Sequence, residues 1–150
     1  MSVITTDILL TNARRDEVFE WLGSLSNHQT FLEKVFPSIQ KTSEDTLSVT
    51  LKTGFKKRTF SYIFEKKDDS HGGRRIKIKT KGKRAEGIMN YSLRTMKPSK
   101  NTLITITWDY SHGGGLGMLL NPLSLQEDYF DSIKKILKEI QACYPRERKD

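Results

Sequence analysis

Between Leu47 and Tyr110 the apolar residues recur at every second position: Leu47, Val49 and Leu51; Phe60, Tyr62 and Phe64; Ile76 and Ile78; Met89, Tyr91 and Leu93; Ile104, Ile106, Trp108 and Tyr110. A period of two places one face of a segment in a core and the other in water, as in half-solvated antiparallel strands. The separators are turn formers: Ser43-Glu44-Asp45, Thr53-Gly54, Asp68 to Gly73, Gly82-Lys83 and Pro98 to Asn101. They are too short to carry the crossover helices that a parallel sheet requires.

The period changes toward the ends of the chain. Ile4, Ile8 and Leu10 alternate in a first strand over 3–11, and Asn12 is placed to cap a helix begun near Ala13. Val18, Phe19 and Leu22 then form a stripe at helical spacing, with Trp21 beside it, ending near Gly23. A second short helix is expected from Asn27 to about Lys34, with Phe31 and Val35 four apart, before Pro37 stops it. From about Leu125 to Tyr144 a long helix is expected, opened by Ser124 and Glu127 as a capping box. Its broad apolar face carries Tyr129, Phe130, Ile133, Ile136, Leu137 and Ile140. The expected order is one strand, two short helices, about five strands and one long helix.

Charge adds a surface to this outline. Lys and Arg number 26 against 18 Asp and Glu, a formal net charge of +8, and seven of the eleven residues from Arg74 to Arg84 are basic. Strand alternation puts Arg75, Lys77, Lys79 and Lys81 on one face and Arg74, Ile76, Ile78 and Thr80 on the other, so the first set is a solvated outer surface. The aromatic residues on which bases would stack belong to other strands and to the inner face, so no specific nucleic acid is expected. A basic exterior without a partner is the plain reading of this face, and transient contact with an anionic membrane surface is the alternative.

The 150 residues suit a single domain spanning 1–150. The one cysteine, Cys143, excludes an internal disulfide, and three histidines with one cysteine show no metal-ligand spacing, so no metal and no cofactor is expected. The opening MSVITTDILL lacks the basic segment and apolar core of a secretory signal, and no window approaches the roughly 18 apolar residues of a membrane span. A cytoplasmic protein is expected. No heptad repeat or isolated apolar patch sets an oligomeric state.

The stretch ITTDILLTNARRDEVFEWLGSLSNHQTFLEKVFPSIQ carries a strand, a helix with a Val-Phe pair, a short loop, a second helix and a Pro-led strand. With the element order that follows, it resembles the START/Bet v 1-like (SRPBCC) superfamily: START-type lipid-transfer domains, birch-pollen-allergen-like proteins and small polyketide cyclase/dehydrase-like proteins. Those proteins often have Pro where this chain has Asn12 and Trp where it has Phe31. The resemblance implies an α+β helix-grip fold, in which a curved antiparallel sheet wraps around a long C-terminal helix, with two short helices after the first strand. It also implies an apolar cavity between sheet and helix that binds lipids, sterols, polyketides or plant hormones, and in a minority of members supports cyclisation or dehydration.

On that reading the inward face carries Phe60, Tyr62, Phe64, Met89, Tyr91, Ile106, Trp108 and Tyr110, opposed by Tyr129, Phe130, Ile133 and Leu137. The tyrosines combine ring area with a hydroxyl that needs a partner in a dry core, which favours a partly wet pocket over solid packing. A carrier, sensor or storage protein for a hydrophobic or amphipathic small molecule, such as a lipid or a polycyclic compound, needs only burial and one or two orienting hydroxyls. A cyclase, aromatase or dehydratase would need a general acid and base, for which His112 and Tyr91 are the candidates. His28, at a helix start, and His71, in a polar turn, are expected to be exposed. A basic interaction domain without a cavity is the third class.

The segment SHGGGLGMLLNPLS from Ser111 to Ser124 has the glycine content of a phosphate loop but not its spacing or context. Gly115 and Gly117 give G-x-G, Leu120 stands where the third glycine belongs, and Asn121-Pro122 intervene before the helix. Met118 and Leu119 are therefore expected to line an apolar loop over the cavity entrance, with the glycines as its joint.

Overall fold

The computed structural model describes residues 2–53, 56–69, 73–97, 100–111 and 122–145. His71, His112, Met118, Leu119 and the glycine segment lie outside the described residues. Strand β1 (Ser2–Leu10) is followed by helices α1 (Arg15–Leu22) and α2 (Leu25–Glu33), then by β2 (Ser38–Ser43), β3 (Thr46–Thr53), β4 (Lys56–Asp68), β5 (Arg74–Lys81), β6 (Glu86–Met96), β7 (Asn101–Ser111) and α3 (Pro122–Cys143). The seven strands form one antiparallel sheet in the order β1-β7-β6-β5-β4-β3-β2.

Six strands follow the short helices where the apolar pattern shows about five. The extra one, β2, is an edge strand exposed at every position but Ile39, so it has no alternating apolar signal. Curvature has a local cause in register shifts between Phe64 and Lys66 and between Lys41 and Ser43, since a bulge bends its strand and increases twist. At Gly87 a Cβ would lie 1.9 Å from the Asp109 carbonyl oxygen, so only glycine admits the close approach of β7 there.

Two expected helix caps are corrected. Asn12 does not cap α1: it sits in a turn at φ 55, a left-handed conformation Asn tolerates, and the residue preceding α1 is Arg14, which makes no side-chain capping bond. Helix α3 begins at Pro122, so Ser124 lies within its first turn and not before it; proline suits the first helical position because its missing N–H would have had no partner.

At 22 residues α3 is about 33 Å long. Tyr129, Ile133, Ile136, Leu137 and Ile140 are buried along one face, at the helical spacing that the sequence displays. Helices α2 and α3 pack against each other, and α3 also rests on β1 and β7. The core lies in the concavity of the sheet, closed by α3 and by Phe31 and Leu32 of α2. Among the described residues, no helix is long and apolar enough to cross a membrane.

Candidate functional site

Each strand delivers its inner residues through register. Tyr62 stands opposite Thr80, Phe64 opposite Ile78, Ile76 opposite Tyr91, Tyr91 opposite Ile106 and Met89 opposite Trp108. Tyr62, Met89, Tyr91, Ile106, Trp108, Tyr110, Tyr129, Ile133 and Leu137 are all 1% exposed or less, and Phe64 is half-buried beside the bulge. The expected lining residues that lie within the described part of the chain thus converge on one interior.

His28 joins them. The expectation that it is exposed is corrected: it is fully buried, because it shares the inner face of α2 with Phe31 and Leu32, three and four residues on. Its ring lies 4.8 Å from that of Phe31, 5.2 Å from Tyr91 and 5.7 Å from both Tyr62 and Phe64. Nε2 is 2.7 Å from the Leu22 carbonyl oxygen, Nδ1 is 2.6 Å from the Tyr62 hydroxyl, and that hydroxyl is 2.7 Å from the hydroxyl of Tyr91.

The direction of these bonds follows from chemistry. A carbonyl only accepts, so Nε2 carries the hydrogen. Burial holds the imidazole pKa down at about 4 in spite of the Leu22 carbonyl, which raises it, so the ring is neutral near pH 7 and Nδ1 accepts. Tyr62 donates to Nδ1, and Tyr91 donates to Tyr62. Burial raises the pKa of both phenols above the ordinary tyrosine value, so both remain protonated.

A second aromatic group occupies the part of the interior beneath the β5–β6 turn. Trp108 stacks on Tyr129 at 4.6 Å and 24°, Tyr110 meets Tyr129 edge-on at 4.7 Å, and Phe60 lies 5.5 Å from Trp108. Trp108 Nε1 donates to Thr80 Oγ1 at 3.2 Å, Thr80 donates to the Ala85 carbonyl at 2.6 Å, and Tyr129 donates to the Arg84 carbonyl at 2.8 Å. Arg84 has φ 64, so that hydroxyl braces a left-handed turn residue.

On the outside, the alternation of β5 holds: Arg75 and Lys81 are exposed and Lys77 and Lys79 half-buried, against buried Ile76, Ile78 and Thr80. Arg15, Arg74, Arg75 and Arg94 line a groove of about 480 Å³ at that end of the sheet. Cys143 is half-buried, and Lys34 donates to its Sγ at 3.6 Å, a basic neighbour supplied by the residue that follows α2 and invisible along the chain. Among the described residues no cluster of His, Cys, Asp or Glu could hold a metal ion.

Sequence reasoning missed His28 and the polar use of Thr80. The signal for His28 was present, since a polar residue at the i position of an i, i+3, i+4 apolar set faces inward with them. The signal for its bonding was not, because its partners come from α1 and β4.

No protein-family model matches the sequence, and no curated protein matches it. Solved structures do match in fold. The Zhui aromatase/cyclase from Streptomyces sp. R1128 is 13% identical with a TM-score of 0.60, over 94% of this chain and 92% of that one. Norcoclaurine synthase from Thalictrum flavum, in complex with dopamine and hydroxybenzaldehyde, is 13% identical with a TM-score of 0.58, over 97% and 89%. The major latex-like protein 151 of Panax ginseng is 11% identical with a TM-score of 0.56, over 94% and 95%. At these identities the likeness is one of fold, and the fold is the helix-grip arrangement of the Bet v 1-like proteins.

Proposed function

We propose that this protein binds a hydrophobic or amphipathic small molecule between the curved sheet and α3, as a cytoplasmic carrier, sensor or storage protein acting as one domain. The observation that carries this reading is the hydrogen-bonded line of His28, Tyr62 and Tyr91 in an interior that, Thr80 apart, is otherwise made of apolar and aromatic residues. Such an interior suits a ligand with a large apolar body and one polar group: burial supplies affinity at roughly 0.8 kcal/mol per methylene, and the polar line sets orientation. Norcoclaurine synthase, which shares the fold, was solved with two aromatic small molecules, and that supports the reading.

Native mass spectrometry of freshly purified protein tests it, together with the fluorescence of an apolar dye. Co-purified lipid or dye enhancement is expected; reproducible absence of both would sink the proposal. In the same reading, the outer face with Arg75, Lys77, Lys79 and Lys81, and the arginine-lined groove beside it, contacts anionic membrane during delivery. Binding to anionic vesicles at low salt, abolished at high salt, is the expected result.

The same hydrogen-bonded line favours a second reading, an enzyme of cyclase, aromatase or dehydratase type. A phenol backed by a second phenol and an imidazole is a path along which a proton can leave or reach a substrate. Tyr91→Phe would then abolish turnover while leaving ligand binding largely intact.

A further inference from the structure

We infer that the interior selects ligands whose polar group donates a hydrogen bond, a hydroxyl or N–H on an apolar body, over ligands whose polar group only accepts. The inference rests on the carrier reading above and names the ligand chemistry that reading leaves open.

The polarity of the line is set at the Leu22 carbonyl. That oxygen has only lone pairs to offer, so at 2.7 Å it requires the hydrogen on Nε2 of His28. Nδ1 then presents a lone pair 2.6 Å from the Tyr62 oxygen, a distance that requires the phenolic hydrogen between them. Tyr62 has one hydrogen and has used it, so across 2.7 Å to Tyr91 it can only accept. Tyr91 therefore points its own hydrogen at Tyr62. Its oxygen keeps lone pairs to which, among the described residues, nothing donates.

Reversing the line would need a hydrogen on both imidazole nitrogens, a buried cation that desolvation opposes. The pole that remains is an acceptor. A carboxylate brought against it would set lone pairs against lone pairs, and no buried cation compensates: among the described residues the buried polar side chains beyond the aromatic ones are His28, Thr80 and Thr102. Thr80 and Tyr129 are already committed to the backbone carbonyls of Ala85 and Arg84, and Thr102 to that of Ala13. Tyr91, fully buried with His28 edge-on at 5.2 Å and Ile106 beside it, is where an apolar ligand meets an unused polar atom.

The test compares para-hexylphenol, para-hexylanisole and para-hexylbenzoate as displacers of Nile red at neutral pH, on the wild-type protein and on Tyr91→Phe. The three share a ring and a chain and differ in whether the head donates. The wild type is expected to prefer the phenol over the anisole by about tenfold, the effect of one added buried hydrogen bond, and to bind the benzoate weakest. In Tyr91→Phe the phenol preference should collapse to within about twofold while the anisole affinity holds. Bound dye displaced equally by all three, or by none, overturns the inference and leaves the carrier reading standing, as does a phenol preference that survives in Tyr91→Phe. No binding of the dye or of any of the three overturns the carrier reading and the inference with it. The wild-type comparison stands alone should Tyr91→Phe fail to fold.

Discussion

Around His28 the polar tips bond to one another, Tyr91 to Tyr62 to His28, and only the last reaches the backbone; around Trp108 they end one or two steps away on the carbonyls of Ala85 and Arg84. Both regions set tyrosines and large rings on the inner face of the same sheet against a ring from a helix, His28 of α2 or Tyr129 of α3. They differ in dependence. Removing one member of the His28 line leaves a buried neighbour without its partner, whereas removing the Tyr129 hydroxyl leaves a turn carbonyl at the rim of the fold. Three side chains that satisfy one another also hold a common polarity, and that is why the acceptor pole is assigned to Tyr91 and not to Tyr129.

Four experiments break or sharpen this contrast. The largest effect belongs to packing: Trp108→Ala removes the ring stacked between Tyr129, Tyr110 and Phe60 and should cost about 3–5 kcal/mol in urea unfolding. A loss under about 1 kcal/mol would show that the stack is not core packing.

Next in size is the acid response of the His28 region. The imidazole pKa falls from 6.5 to about 4 on folding, so the unfolded chain binds the extra proton between those values. Its contribution is complete above about pH 6.5 and is lost as pH falls toward 4, a loss on the order of 3 kcal/mol at 1.36 kcal/mol per unit. Unfolding at a series of pH values reads the slope, which should flatten in His28→Gln. A slope unchanged by that substitution would remove His28 as its source.

A double-mutant cycle addresses dependence directly. Tyr62→Phe should cost about 2 kcal/mol, because it orphans Nδ1 of His28 and the Tyr91 hydroxyl, and Tyr91→Phe about 1 kcal/mol. The pair should couple by at least about 0.5 kcal/mol, while Tyr91→Phe and Tyr129→Phe should add. Equal coupling in both cycles would erase the distinction between the regions. The smallest effect is expected at Arg84, whose φ of 64 is unfavourable for a side chain. Arg84→Gly should stabilise by up to about 1 kcal/mol if the Tyr129 hydroxyl keeps its carbonyl.

Much of the fold could be read along the chain. Alternation identified the inner faces of β3 to β7, helical spacing identified the buried face of α3, and the two faces of β5 separated as the pattern shows. These are local properties: a period of two or of 3.6 needs only near neighbours to declare which side is wet. Edge strand β2, with one half-buried residue, shows no apolar alternation and is marked only by the proline that precedes it. Asn12 was open to two local roles, cap or left-handed turn, and the path from β1 into α1 selected the second.

What the sequence determined by itself is therefore most of the elements, their order and the identity of most inward residues, including Tyr62, Tyr91, Trp108 and Tyr129. Tertiary structure decided which of those residues share polar atoms. His28 reaches Tyr62 across 34 residues and Tyr62 reaches Tyr91 across 29, and the Leu22 carbonyl that orients the whole line comes from the end of another helix. A hydrogen bond has length and direction, and no periodicity encodes either; both exist only once α2 has been laid against the sheet.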